Sequence, residues 1–323
     1  MPLRVGIGGD GKIARGVERQ VKHAAGMELA WRQSPDDVES HLKSDPIDVY
    51  VEACGNVQDG AECCLLAIEN HAHIVLTDPR VDVTYGLLIQ TEAQQNGIVV
   101  TSDLGTPHGT LATMIQEAQI MGFNIVQAGQ ISPASDPTQF LYEMAALANG
   151  FSYLPSASGM IGPEVDTYSD ILTAFDLDKI SETPQIDFVR MPSARSGLYL
   201  IVRPRHNLPN EHLEHLKPAK APYYLLHRAA PLGYLETPKT ILATAAGQAI
   251  LSPSYPTTNI YALAKRNLNP SNTLKPEDLE AIITSLDSNR IPLIQALESA
   301  QVESAMVRNT SLTLENTRIN TAR

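Results

Sequence analysis

Lysine is missing from the middle of this 323-residue chain: none lies between Lys43 and Lys179, and Arg80 is the only arginine in that stretch. A lysine that polarises a carbonyl and steers a proton therefore cannot come from there. Cations are scarce overall, 24 against 36 acidic side chains for a formal net charge of −12. That excludes the clustered Lys and Arg of a nucleic-acid or anionic-membrane surface. The expected partners are a small molecule and a second copy of the chain, as a homo-oligomer. No apolar run reaches membrane-spanning length, and Met1-Pro2-Leu3-Arg4 enters an apolar strand at once, so a cytoplasmic location is expected. Three cysteines, Cys54, Cys63 and Cys64, make an odd count with a vicinal pair in a helical stretch. A bridge there would be strained, and reduced, buried thiols are expected. With 43% hydrophobic and 19% charged residues, the chain can bury a full core divided between domains.

What is present is a rhythm. Short β-branched runs ("LRVGIGG", "MELAWRQ", "IDVYVEA", "HIVLT", "IVVTS", "FNIVQAG") alternate with helical patterns from Lys12 to Gly122. Six strands separated by helices predict an α/β fold with a Rossmann-type, doubly wound parallel sheet over residues 1–130, because parallel neighbours need a crossover. After Gly129 the rhythm breaks. "PTQFLYEMAALANG" has amphipathic helical spacing, "IDFVRM" and "GLYLIVRP" read as strands, and "ETPKTILATAAGQ" reads as a helix, so residues 131–256 are expected to form an α/β catalytic lobe.

The stretch "VGIGGDGKIARG", Val5 to Gly16, places five glycines in twelve positions. Gly6-Ile7-Gly8-Gly9-Asp10-Gly11 fits the dinucleotide fingerprint literally, but its glycines fall inside the strand. Gly9-Asp10-Gly11-Lys12-Ile13-Ala14 fits the G-x-G-x-x-A form with the strand before it and the helix opening at Lys12, where backbone N–H groups and the helix dipole meet a pyrophosphate. In this register Gly9 makes the turn, Gly11 admits the phosphate and Ala14 lets helix pack on strand. The second strand ends in Arg32 and Ser34 with no carboxylate until Asp36, which favours NADP over NAD, because a guanidinium pairs with the extra ribose phosphate. Small residues after the third strand, Cys54, Gly55 and Asn56, are the candidate loop under the nicotinamide-side ribose. Glu52 is either part of that corner or a satisfied buried acid.

The motifs "VEACGN", "DVTYG", "MGFNIVQAG", "EMAALANG" and "YALAKRNLNPSNTL", in this order, resemble the homoserine-dehydrogenase-like oxidoreductases with a C-terminal SAF domain, a group that includes deoxyxylulose-phosphate reductoisomerase-like enzymes. The resemblance implies an NAD(P)-binding domain, a catalytic lobe, a β-rich SAF domain over residues 257–323, and oxidation or reduction of a polyol, sugar phosphate or hydroxy acid. The chain departs from that pattern at Arg80, at Gly105-Thr106-Pro107-His108 and at Gly129-Gln130-Ile131.

Candidate chemistry is sparse. His108, at the carboxyl edge of the fifth strand, suits the proton transfer that accompanies hydride transfer; the bland alternative is a helix-start histidine held by the backbone. Glu143, flanked by Tyr142 and Met144 in an apolar helix, either orients His108, holds a substrate hydroxyl, ligates a divalent ion or lies on the outer face. Asp103 is a second candidate orienter. Arg228 is the candidate anchor for a substrate carboxylate or phosphate, or else an interdomain salt bridge. His206, His212 and His215 sit in a polar stretch without an open-site acid, and no metal is expected. The reading is an NADP-preferring oxidoreductase of a small anionic substrate. The alternatives are a nucleotide-binding regulator that has lost catalysis and a homoserine dehydrogenase.

Overall fold

The structure, a computed structural model, describes residues 2–133, 138–156, 160–180, 183–206, 213 and 215–254. The SAF expectation over 257–323, and His212, lie outside the described residues. Five short strands, β1 (Leu3–Gly8), β2 (Met27–Gln33), β3 (Val49–Glu52), β4 (His73–Leu76) and β5 (Val100–Ser102), form a parallel sheet in the order β2-β1-β3-β4-β5. The crossovers are α1 (Lys12–His23), α2 (Pro35–Ser44), α3 (Val57–Glu69) and α4 (Pro79–Gln95). β3, β4 and β5 are buried almost throughout. Strands covered on both faces have no reason to alternate, which is why they read as unbroken apolar runs. α1 turns Ala14, Val17 and Val21 onto this sheet at helical spacing.

The sixth run, expected in the same sheet, does form a strand, β6 (Phe123–Ser132), but it heads a second sheet after α5 (Pro107–Ile120). That sheet adds β7 (Leu154–Pro155), β8 (Gln185–Arg190), β9 (Gly197–Pro204), β10 (Ala219–Lys220) and β11 (Tyr223–Ala229) in the order β10-β11-β9-β6-β8-β7. Apolar periodicity reveals a strand without naming its partner. β6 pairs parallel with β8 and antiparallel with β9, while the edge of three-residue β5 is occupied otherwise, Ser102 N donating to Leu251 O at 2.8 Å. α5 and α6 (Thr138–Phe151) cover one face of the second sheet, and short 3-10 turns at Tyr168–Leu172 and Leu177–Lys179 cover the other.

The chain then returns to the first sheet. α7 (Thr237–Ala245) packs on β3, β4 and α1. Its anchor is Asp103, just past β5, whose buried carboxylate accepts from Thr240 Oγ1 at 2.6 Å and Thr237 Oγ1 at 2.7 Å. Thr240 Oγ1 also accepts from Leu104 N at 2.9 Å. Thr101 Oγ1 accepts from Ile250 N and Leu251 N at 2.8 and 3.0 Å, extending the seam. No described helix is long and apolar enough to cross a membrane. Thr240→Val keeps the shape but strips one donor from a buried carboxylate and orphans the Leu104 amide. Unfolding by denaturant is expected to show a loss of about 2–4 kcal/mol, the cost of two unmade buried hydrogen bonds.

Candidate functional site

The glycine stretch distributes as strand, turn and helix. Gly6 and Gly8 lie inside β1, and Gly9 ends it with φ +127° and no room for a Cβ, which would run into the Ala53 carbonyl. Such a φ is open to glycine and strained for other residues. Gly11 is the N-cap of α1 and provides no side-chain cap; the first turn holds no acid, and the space a Gly11 Cβ would point into is empty to 4 Å. The first amides of α1, those of Lys12, Ile13 and Ala14, thus lie at the positive end of the helix dipole without a side-chain cap. Ala14 is fully buried against the sheet and Ile13 is exposed.

Arg32 stands at the tip of β2 beside this loop. Nη1 pairs with Asp10 Oδ1 at 2.7 Å and donates to Gly9 O at 3.3 Å, while Nε pairs with Glu18 Oε2 at 2.6 Å. Glu18 is held below the usual carboxylate range by Lys22 first and Arg32 second. Arg15 Nη1 donates to the Asp10 carbonyl. Ser34, the N-cap of α2, donates its hydroxyl to Asp37 Oδ2 at 2.8 Å.

At the next corner, Glu52 is a satisfied buried acid. Its Oε1 accepts from Cys54 N at 2.9 Å and its Oε2 from Asp78 N at 3.3 Å, tying the loop after β3 to the loop after β4. Burial, then the nearby Asp78 charge, push its carboxyl up to about 7. The Cys54 thiol lies 3.6 Å from Tyr50 Oη and its pKa is raised, first by hydrogen bonding with Cys63 and then by burial, so it stays a thiol. Asn56 is consumed as the N-cap of α3, its Oδ1 accepting from Gln58 N and Asp59 N. Gly55 has φ +79°, and a Cβ built on it would meet nothing within 4 Å.

Over this corner sits a residue that sequence reasoning noted but gave no role. Asp78 caps α4 and grips the Arg80 guanidinium from both oxygens, Nε at 2.9 and 3.1 Å and Nη2 at 2.5 Å. Arg80 Nη2 also donates to Gly55 O at 3.1 Å, and the Tyr142 phenol of α6 lies close enough to raise the Arg80 pKa after Asp78. Arg80 thus stands between the β3–α3 corner and α6. The signal was in the sequence: a lone cation in 135 residues without lysine, two positions after an acid that fits an N-cap.

His108 and Asp103, expected together, do not meet. Asp103 spends its carboxylate on α7. His108 is 1% exposed at the start of α5, and burial pushes its imidazole down to about 3, so it is neutral at physiological pH. The Thr106 hydroxyl donates to Asp103 O at 2.6 Å, which leaves its oxygen to accept from His108 Nε2 at 3.4 Å and makes Nδ1 a buried lone pair with no partner among the described residues. Glu143 is bonded not to His108 but to Gln130 Nε2 of β6, at 2.6 Å, and burial pushes its carboxyl up to about 7. Arg228, at the end of β11, lies 3.9 Å from Glu236 in the segment that leads back to α7.

Residues 112–237, from α5 through the whole second sheet, match the family model described as the catalytic domain of the oxidoreductase DRL. No curated protein matches the chain. Similar solved structures include a probable dehydrogenase from Thermotoga maritima, 13% identical with a TM-score of 0.48 over 81% of this chain and 93% of that one. Others are a dipicolinate-bound dihydrodipicolinate reductase from Paenisporosarcina sp. TG-14 (12%, TM-score 0.45, 80% and 99%) and a myo-inositol dehydrogenase from Corynebacterium glutamicum (12%, TM-score 0.44, 81% and 94%). By the domain match over residues 112–237, the chain is an oxidoreductase.

Proposed function

We propose that the chain is an NADP-preferring oxidoreductase that moves a hydride between the nicotinamide and a small anionic hydroxy or carbonyl compound. The observation that carries this reading is the uncapped, glycine-lined N-terminus of α1 at the carboxyl edge of a parallel sheet, with a guanidinium at the tip of the neighbouring strand. The residues present fit the nucleotide: the amides of Lys12, Ile13 and Ala14 hold the diphosphate, and Gly55 leaves room for a ribose. Arg32 exchanges its exposed partner Asp10 for the ribose phosphate while Glu18 keeps Nε in place. The bound nicotinamide supplies or accepts the hydride.

The protein's own task is the proton and the orientation. Glu143 takes the hydroxyl proton when the substrate is oxidised and returns it when the carbonyl is reduced, a role matched by a carboxyl that titrates near neutrality. Gln130 positions it. Arg80, fixed by Asp78, holds the anionic oxygen of the substrate, the work a lysine would otherwise do. His108, neutral, accepts a hydrogen bond through Nδ1 rather than donating a proton. The sugar-phosphate, polyol or hydroxy-acid class follows from the motif resemblance. One observation favours the nucleotide-binding regulator as a second reading: no lysine reaches this cleft from residues 44–178.

Single-turnover absorbance of the reduced nicotinamide, against a panel of sugar phosphates and hydroxy acids, separates the two: turnover with at least one compound is expected, and binding without redox change for every compound would favour the regulator. Arg32→Ala is expected to weaken NADP binding about 10- to 100-fold, the worth of one charge-assisted bond, and to leave NAD binding nearly unchanged by calorimetry. The pH profile gives the sign of the proton step. Oxidation needs the Glu143 carboxylate and its rate should rise through about pH 7, whereas reduction needs the acid and should fall through the same range. In Glu143→Gln both inflections should vanish with kcat down about 100-fold or more, NADP affinity being kept.

A further inference from the structure

The second sheet has a pocket at the end where β6 begins. Its residues include Asn124 and Val126 of β6, Arg203 of β9, Arg205 just beyond it, Leu177 and Tyr223, around a cavity of about 470 Å³. That is the size of a site for a small organic molecule. Sheet register explains how it is built. Asn124 pairs with Arg203, and Tyr223 comes one position beyond the pair of Tyr224 with Val202, so the three form a row across neighbouring strands. Alternation along β9 puts Arg203 on the same face as Tyr199 and Ile201, which the turns at Ile171, Leu172 and Leu177 cover as apolar interior. Arg203 is where that covering stops: a guanidinium on the inward face of the sheet, at the rim of a hollow.

In a chain with net charge −12, no carboxylate among the described residues pairs with Arg203 or Arg205. Arg205 Nε donates to Asn124 Oδ1 at 3.0 Å, which holds its fork beside Arg203. Asp178 accepts from Tyr223 Oη at 3.0 Å. The walls below the rim are Ile125, Val126, Leu177, Ile180 and Pro184. Two guanidinium forks over an apolar floor match one ligand chemistry: a carboxylate or phosphate monoester on a compact apolar body.

We propose that this pocket is a second ligand site for a small apolar anion, separate from the nucleotide cleft. β6 runs from Asn124 in the pocket to Gln130, the partner of Glu143, about 20 Å along the strand at 3.3 Å per residue. A molecule bound here is therefore not a substrate for the cleft, and the inference does not rest on the reading of the nucleotide site.

The test is calorimetry of the full chain with phenyl phosphate as the probe, in wild type, in Arg203→Ala/Arg205→Ala and in Arg32→Ala/Arg80→Ala. Both rim arginines are exposed, so their removal leaves the core intact, which circular dichroism checks. The expected result is one saturable site, weakened at least tenfold in Arg203→Ala/Arg205→Ala, retained in Arg203→Lys/Arg205→Lys with reduced affinity, and unchanged in Arg32→Ala/Arg80→Ala. No saturable binding at millimolar probe, binding that survives Arg203→Ala/Arg205→Ala, or binding lost with the cleft arginines would each overturn the proposal.

Discussion

A buried carboxylate holds this molecule in its working shape. Asp103 lies at the carboxyl edge of the first sheet and takes hydroxyl donors from Thr237 and Thr240, more than 130 residues further along the chain. Burial raises its pKa, and the two threonines oppose that rise. Unpaired, such a group would cost several kcal/mol, and paired it fixes the returning helix against the sheet. The second sheet is strung between α5, which packs on it, and α7, which the Asp103 contact seats against the first sheet.

Three unlike devices are present. The first is a helix dipole left open by a glycine cap. The second is a guanidinium clamped by Asp78 and Gly55 O beside Tyr142. The third is a carboxyl on α6 whose burial brings its pKa to about 7, the region in which a proton can be both taken and given. Desolvation acts in opposite directions on Glu143 and His108: it raises the carboxyl of the first and lowers the imidazole of the second, in each case by penalising the charged form.

Much of the fold could be read from the sequence. The βα rhythm located β1 to β5 and their helices, since fully buried parallel strands and amphipathic helices leave plain periodic signals. The end of β1 before Gly9 and the start of α1 at Lys12 were also legible, because an apolar run stops there. The partner of β6 was not, since periodicity carries no information about which strand lies alongside. The site was legible by residue type and hidden in its pairings. Asp103 and His108 share a loop, yet their side chains diverge toward different elements. Arg80 was visible as an isolated cation, and only the three-dimensional position of Gly55 and Tyr142 shows that it lies between the β3–α3 corner and α6.

We propose that the first turn of α1 receives a diphosphate and thereby sets the nicotinamide between the Gly55 corner and α6. A crystal structure of the chain with NADP bound tests it most directly. The account predicts diphosphate oxygens within hydrogen-bond reach of the amides of Lys12 to Ala14, the ribose phosphate on Arg32, and the reactive carbon of the ring on the side of Glu143 and Arg80. A nucleotide bound elsewhere, or with its ring turned away from α6, would contradict it.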